Sequence, residues 1–187
     1  MWLTNNLQVS LTHLKTTPKI IKYGFMDSKF GRMLLGLTTI AKGAKRCDAI
    51  CVLYFIQENE IATLKEVQQR WPNVEFMEDA EAIDQVIEIL SIDKENTAAI
   101  DVAVVGTDLQ FAVWNELIKL KAGKTLTYSE LAELVERPKA VRAVANAVAK
   151  NEVSILIPCH RIVSKSGAVK YHWGAKLKSD LLAYEAK

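Results

Sequence analysis

The sequence predicts an α+β fold, with a small antiparallel sheet and helices in its first half and a mostly helical second half. Three short runs rich in β-branched and aromatic residues lie within residues 19–56 and are separated by polar turns. From Thr107 onward, apolar residues recur at helical spacing instead. A polar stretch at 93–97 is the best linker candidate between the two patterns. We therefore predict a first domain over 1–92, a linker and connecting strand over 93–106, and a second domain over 107–187.

The three predicted strands are KIIKYGF at 19–25, FGRMLLGL at 30–37 and AICVLYFI at 49–56. A turn is expected at 27–29 and a longer polar loop at 42–46. Strands joined in this way favour antiparallel pairing.

Two helices are predicted to lie one face down on this sheet. In the first, which Pro72 ends, apolar residues recur at roughly helical spacing at Ile61, Leu64, Val67 and Trp71. In the second, they follow the i, i+3, i+4, i+7 pattern at Ile83, Val86, Ile87 and Leu90.

The second half is predicted to begin with two capped helices. Thr107 or Asp108 can cap the first, which ends near 122–124 and has one apolar face formed by Phe111, Trp114 and Ile118. Thr127 and Glu130 have the spacing of a capping box for the second. That helix closes at 137–138, and its inward residues are Leu131, Leu134 and Val135.

A third helix, starting at Lys139 with KAVRAVANAVAK, completes a helix-turn-helix pattern. Its buried stripe is predicted to contain Val141, Val144, Ala145 and Val148. The opposite face is basic and low in bulk, and consists of Lys139, Arg142, Ala143, Asn146 and Lys150. Such a face can approach a narrow minor groove closely, although most basic amphipathic helices bind nothing and alanine is simply the best helix former.

Charge is distributed unevenly along the chain. Residues 101–187 carry 13 Lys and Arg against 9 Asp and Glu, a balance of +4, whereas residues 1–100 have a balance of −2. The basic half could face a polyanion, or its lysines could form an ordinary solvated surface. No signal-peptide pattern or transmembrane-length stretch is visible, and the three cysteines suit a reducing compartment. We expect an intracellular protein, located in the nucleus if eukaryotic and in the cytoplasm if bacterial.

The segment ILIPCHRIV, at 155–163, places Cys159 beside His160 in an apolar run that is predicted to be a buried strand. Cys159 could be only a small buried hydrophobe. A structural zinc site lacks the second ligand pair that Cys47-x3-Cys51 would need, and neighbouring side chains on a strand suit a cysteine protease poorly. The third interpretation is a thiolate activated by His160 through a bound water, with Glu185 orienting the imidazole.

The segment PCHRIV resembles a motif of the O6-alkylguanine-DNA alkyltransferase family. The same resemblance extends to TYSELA (127–132), PKAVRAVANAV (138–148), Asn151 and YHWG (171–174). The resemblance runs in order over residues 107–186, and the first half is more loosely similar to the family's companion domain. It implies a ribonuclease-H-like companion domain followed by a domain with a winged helix-turn-helix. It also implies direct repair of duplex DNA, in which an alkyl group passes irreversibly from guanine O6 to the protein.

The resemblance assigns the chemistry to five residues. Cys159 takes the alkyl group, His160 is the water-mediated base, and Glu185 polarises His160. Asn151 braces the active-site turn against the recognition helix, and Tyr128 presses on the phosphate and hydrogen-bonds guanine N3. Flipping of the nucleotide is required because O6 is otherwise stacked inside the duplex.

The remaining residues implied by the resemblance bind DNA or line the substrate pocket. Arg142 enters the duplex to fill the space left by the flipped nucleotide, and the recognition helix further contributes Lys139, Ala140, Ala143 and Asn146. The pocket residues are Val148, Ser154, Pro158, Ile162, whose carbonyl faces the base, and Tyr171.

We therefore predict a single-turnover DNA methyltransferase that acts as a monomer on double-stranded DNA containing O6-alkylguanine, with no membrane partner, cofactor or metal. A lesion-binding protein of the alkyltransferase-like class is the main alternative, and the presence of Cys159 argues against it. A sequence-specific regulator would need more long polar side chains on the third helix.

Overall fold

A computed structural model of the chain describes residues 8–91 and 99–187. The chain forms two compact units, Met1–Val105 and Gly106–Lys187. The linker predicted at 93–97 lies outside the described residues.

The first unit is built on a six-stranded sheet with the order β1-β6-β4-β3-β2-β5. Its strands are β1 (Val9–Leu14), β2 (Ile20–Ser28), β3 (Gly31–Lys42), β4 (Lys45–Phe55), β5 (Glu75–Glu78) and β6 (Ile100–Val105). Buried apolar side chains of β3 and β4 form its centre, which explains their long hydrophobic runs.

The prediction of a small antiparallel sheet is correct only for β2, β3 and β4, and the whole sheet is mixed. β1 pairs with β6, β6 with β4, and β5 with β2, all in parallel. β6 lies within the connecting strand predicted for 93–106. β1 and β5 were not predicted, because each carries polar residues at half of its positions. The polar loop predicted at 42–46 is instead a tight turn between β3 and β4, in which Gly43 adopts a φ of +61°.

Both helices predicted for the first unit are present, as α1 (Glu60–Arg70) and α2 (Ala80–Ser91). The Asn59 side chain caps α1 by accepting from the backbone N–H of Ala62. Helix α2 packs closely on β2 because Gly24 has no side chain, and a Cβ there would lie 2.9 Å from Ile83.

The second unit contains four α-helices and a two-stranded parallel sheet among the described residues. The helices are α3 (Asp108–Leu117), α4 (Tyr128–Leu134), α5 (Val141–Ala149) and α6 (Ala175–Glu185), and the strands are β7 (Leu126–Thr127) and β8 (Ile162–Val163). The capping box predicted at Thr127 with Glu130 forms. Thr107, one of the two predicted caps of α3, also forms a capping box with Gln110.

Three details of the predicted helix-turn-helix differ in the structure. In the predicted buried stripe of α5, Val141 and Ala145 are only half-buried, and Ala147 is buried instead. Leu134, predicted to point inward, is 54% exposed, and Ala132 is buried instead. Helix α5 begins at Val141 and not at Lys139, because Lys139 lies in a turn that the Ala140 N–H closes on the carbonyl of Arg137. The outer face of α5 is exposed as predicted, at Arg142, Ala143 and Asn146.

Candidate active site

The segment around Cys159 is a turn followed by a short 3₁₀ helix, and the predicted buried strand is wrong. The Ile157 N–H donates to the Val153 carbonyl, and Ile155 adopts a φ of +66° between them. The 3₁₀ helix covers Cys159–Arg161, and only Ile162–Val163 forms a strand. Periodicity could not separate these shapes, since a short apolar run is equally compatible with a buried strand or a buried turn.

Asn151 explains why this apolar segment turns. Its amide nitrogen lies 3.2 Å from the Val153 carbonyl oxygen and 2.8 Å from that of Ile157, and its side-chain oxygen accepts from the Val153 N–H at 2.9 Å. The buried turn therefore has partners for backbone groups that a strand ladder would otherwise satisfy. The same amide nitrogen lies 3.2 Å from Cys159 Sγ and donates to it.

Cys159 borders a cavity but is largely removed from water, with 8% of its surface exposed. Burial raises the pKa of its thiol to about 11, against the opposing effects of the Asn151 hydrogen bond and the Lys178 charge. At neutral pH the group is a thiol, so a nucleophilic reaction requires a base to take its proton.

His160 has the properties of that base. Its side chain is fully buried, and burial lowers its pKa despite the hydrogen bond with Glu185, so the ring is neutral at physiological pH. Nε2 lies 2.8 Å from Glu185 Oε1, which requires the proton on Nε2 and leaves Nδ1 as an acceptor. Nδ1 is buried and has no hydrogen-bond partner among the described residues.

Glu185 at the end of α6 is shared between His160 and Arg161. Arg161 Nη2 donates to Oε1 at 2.7 Å, and Nε donates to Oε2 at 2.9 Å. Burial alone would raise the pKa of Glu185, but the hydrogen bonds from His160 and Arg161 outweigh it and lower that pKa to about 2. The carboxylate is therefore ionised at any physiological pH.

The cavity beside Cys159 has a volume of about 530 Å³, enough for a nucleobase. Seven residues predicted for the site line it, namely Tyr128, Arg142, Asn146, Val148, Asn151, Cys159 and Tyr171. His160 and Glu185, which are hydrogen-bonded to each other, lie outside the lining. Also outside the lining are Lys139, Ala140, Ala143, Ser154, Pro158 and Ile162.

Two tyrosines contribute protonated hydroxyls near the thiol. Burial is the main cause that raises the pKa of Tyr128, and the charge of the nearby Cys159 raises it further. The same two causes raise the pKa of Tyr171 well above its ordinary value. The Tyr171 ring meets the His160 ring edge-on, with 6.4 Å between centroids. Both hydroxyls therefore keep their protons at neutral pH and can donate hydrogen bonds.

Sequence reasoning missed Lys178, a lysine on α6 that is only 3% exposed. Its ammonium group donates to the Ile162 carbonyl at 2.5 Å and to the Lys170 carbonyl at 3.3 Å. Burial lowers its pKa, whereas the nearby Cys159 raises it. Nothing in the text AKLKSD distinguishes Lys178 from the exposed Lys176.

No group of three or more His, Cys, Asp or Glu side chains in 8–91 and 99–187 could hold a metal ion. In that same part of the chain, no helix combines the length and apolar character needed to cross a membrane.

The family model for the DNA-binding domain of 6-O-methylguanine DNA methyltransferase matches residues 108–187. The chain is 35% identical over 124 residues to the inducible methylated-DNA–protein-cysteine methyltransferase of Bacillus subtilis, covering 64% of this chain and 69% of that relative. It is 32% identical over 171 residues to the bifunctional transcriptional activator and DNA repair enzyme Ada of Escherichia coli, covering 89% of this chain and 46% of that relative. The chain thus spans about half the length of the first relatives that it matches.

Solved structures agree with these sequence relatives. The O6-methylguanine methyltransferase of Mycobacterium tuberculosis matches with a TM-score of 0.62 and 25% identity, over 89% of this chain and 93% of that one. A crystal structure of the Mycobacterium tuberculosis protein in complex with DNA matches with the same TM-score and identity, over 88% and 92%.

Proposed function

Because the chain belongs to the methylated-DNA–protein-cysteine methyltransferase family, we propose that it repairs DNA by moving an alkyl group from guanine O6 to Cys159. The observation that carries this proposal is the placement of the Cys159 thiol on a nucleobase-sized cavity, with a neutral His160, held by Glu185, as the next residue. The alkyl group that we propose is transferred is methyl. Each molecule reacts once, because an S-alkyl cysteine has no route back to the thiol.

The transfer is a nucleophilic displacement at the alkyl carbon. His160 Nδ1 takes the thiol proton through an intervening water, and the resulting sulfur anion attacks the carbon attached to O6. The C–O6 bond breaks, its electron pair passes to guanine, and the base receives a proton from Tyr128 at N3. The proton that His160 took from the thiol then returns through water to the Tyr128 oxygen, so that both residues regain their initial state. The sum is one thiol plus one O6-alkylguanine giving one thioether plus one guanine.

The charges around the thiol suit this reaction. The Asn151 amide donates to sulfur at 3.2 Å and the buried Lys178 lies nearby, and both lower the cost of forming the anion. The imidazolium that forms on His160 faces an ionised Glu185. The site therefore stabilises both products of the proton transfer.

Duplex DNA is the proposed partner, bound through α5 and its neighbouring helix α4 as a winged helix-turn-helix. Arg142 is exposed on α5 and also lines the cavity, as expected of a side chain that fills the space left by a flipped nucleotide. The small Ala140 and Ala143, with Lys139 and Asn146, allow close approach to a minor groove. The DNA complex of the Mycobacterium tuberculosis protein supports this choice of partner.

The pocket walls would be Val148 and Tyr171, whereas Ser154 and Pro158, also predicted for the pocket, are buried and lie outside the cavity lining. We propose that the Ile162 carbonyl accepts from the base, since it has two lone pairs and Lys178 uses only one. The first unit, which includes β6 of the segment predicted as linker and connecting strand, would be the ribonuclease-H-like companion domain. We also propose a monomer that works in the cytoplasm of a bacterium or the nucleus of a eukaryote.

The test is restoration of guanine in a duplex that carries one O6-methylguanine within a restriction site. Increasing amounts of wild-type protein should restore cleavage in direct proportion to protein, with an end point of one site per molecule. Cys159→Ala should restore none, whereas Cys51→Ala should behave as wild type. If the wild-type protein binds the duplex but restores nothing, the alkyltransferase-like class of lesion binding describes it instead.

A further inference from the structure

The loop that follows α3 meets α6 beside the catalytic carboxylate. Gly123 in this loop adopts a φ of +75°, and a Cβ at that position would lie 2.9 Å from the backbone oxygen of Glu185. Real Cβ atoms essentially never approach an oxygen so closely, so a side chain there would force the backbone of Glu185 to move. The missing side chain of Gly123 therefore sets how close the loop and the end of α6 can be.

The same loop also holds Glu185 through a second residue. The carbonyl of Leu120 accepts from Arg161 Nη1, while Arg161 Nη2 and Nε grip the two carboxylate oxygens of Glu185. A planar guanidinium bound on both sides has little freedom to rotate. Leu120 thus fixes Arg161, and Arg161 fixes the plane of the Glu185 carboxylate.

We propose that the loop 120–123 is a buttress for the alkyl-transfer site and that Gly123 and Arg161 are positioning residues, which hold Glu185 Oε1 on His160 Nε2. The inference rests on the proposed function and assigns to it a part of the chain that does not border the cavity. Its chemical purpose is to keep the His160 proton on Nε2, so that Nδ1 stays free to accept the thiol proton. A displaced carboxylate would release that constraint without altering the cavity walls.

Loss of the base has a distinctive pH signature. With His160 correctly held, the rate should be flat above the pKa of His160, because the base is then neutral and the thiol is still protonated. Without His160 as base, the reaction depends on the fraction of Cys159 that is ionised to thiolate in equilibrium with the solvent. This fraction rises about tenfold per pH unit below the Cys159 pKa of about 11. The titratable and charged groups facing this network are Tyr128, Cys159, His160, Arg161, Tyr171, Lys178 and Glu185.

The experiment compares Gly123→Ala with Gly43→Ala. Both glycines have positive φ, +75° and +61°, so alanine meets similar backbone strain at each, but no atom lies within 4 Å of the Cβ position at Gly43. The second-order rate of Cys159 alkylation is measured from pH 7 to 9.5 with two electrophiles, iodoacetamide and a duplex containing O6-methylguanine. Peptide mapping separates Cys159 from the other two cysteines.

We expect G123A to react on the order of ten- to a hundredfold more slowly than G43A at pH 7.5, with the gap closing as pH rises. Equal rates, or a slowing that is constant across pH, would overturn the buttress. If G123A does not fold, Arg161→Lys replaces it, because a lysine keeps the charge but cannot reach Leu120 and both carboxylate oxygens. For Arg161→Lys as well, a rate equal to that of G43A, or a slowing that is constant across pH, would overturn the buttress.

The two electrophiles separate this inference from the proposed function. If wild-type protein reacts with iodoacetamide but accepts no methyl group from DNA, only the proposed function is overturned. The ratio of the iodoacetamide alkylation rates of G123A and G43A then still tests the buttress. Methyl transfer that is equal in the two variants overturns the buttress alone.

Discussion

Replacing Glu185 by glutamine should slow alkyl transfer by roughly a hundredfold at pH 7.5. The substitution keeps the size of the side chain but removes the negative charge that faces His160 at 2.8 Å and Arg161 at 2.7 and 2.9 Å. In the proposed reaction, His160 becomes positively charged as it accepts the thiol proton. Without the carboxylate, that charge forms beside an unneutralised Arg161.

The magnitude follows from the hydrogen bond that is lost. A hydrogen bond to a charged partner contributes about 1.5–3 kcal/mol. Glu185 is only 10% exposed, so solvent screens the interaction little. A loss of roughly 2–3 kcal/mol from the transition state corresponds to a slowing of about 30- to 150-fold.

The assay is single-turnover transfer from a duplex containing O6-methylguanine, stopped by acid at set times and measured by intact mass. Asp180→Asn is the matched control, because it removes a carboxylate from the same helix at an exposed position paired with Lys176. It should leave the rate within twofold of wild type. A Glu185→Gln protein that is folded, binds the duplex and transfers at the wild-type rate would refute the role of Glu185.

Three further outcomes follow from the site. Arg142→Ala should slow transfer from duplex DNA at least tenfold yet leave alkylation of Cys159 by iodoacetamide unchanged; equal loss in both assays would contradict a role in DNA flipping. Lys178→Met should lower the free energy of unfolding in urea by about 1–3 kcal/mol, since it strips a donor from two carbonyls, and should raise the Cys159 pKa further, whereas Lys176→Met should do neither. The folded pKa of Glu185 is about 2 against 4.5 for the free group, so the unfolded chain takes up this proton first. As the pH falls from 4.5 to 2, the free energy of unfolding of the wild type should therefore drop by roughly 3 kcal/mol more than that of Glu185→Gln. An equal drop in the two proteins would contradict the low pKa of Glu185.

The sequence alone could predict those parts of the fold whose signals are local. The N-cap at Thr107 and the capping box at Thr127 form as predicted because a side-chain oxygen and a backbone N–H three residues away need no tertiary partner. The strands β1 and β5 escaped prediction because their pairing depends on distant strands of the sheet.

The same distinction applies to the site. Cys159 and His160 could be named from the PCHRIV motif and Glu185 as a carboxylate on the C-terminal helix, and the structure brings His160 and Glu185 into hydrogen bonding. The turn that presents Cys159 was predicted as a strand, since the conformation depends on hydrogen bonds made by Asn151. Lys178 was missed for a similar reason: its burial comes from the carbonyls that surround it and has no counterpart in the adjacent sequence.

The most direct test of the central claim is intact mass and peptide mapping after the protein is mixed with one equivalent of duplex DNA containing a single O6-methylguanine. We predict a gain of one methyl group on the peptide that contains Cys159, which saturates at one per molecule and is absent in Cys159→Ala. A duplex that binds tightly while the protein mass stays unchanged, or a methyl group found on Cys47 or Cys51, would contradict the account.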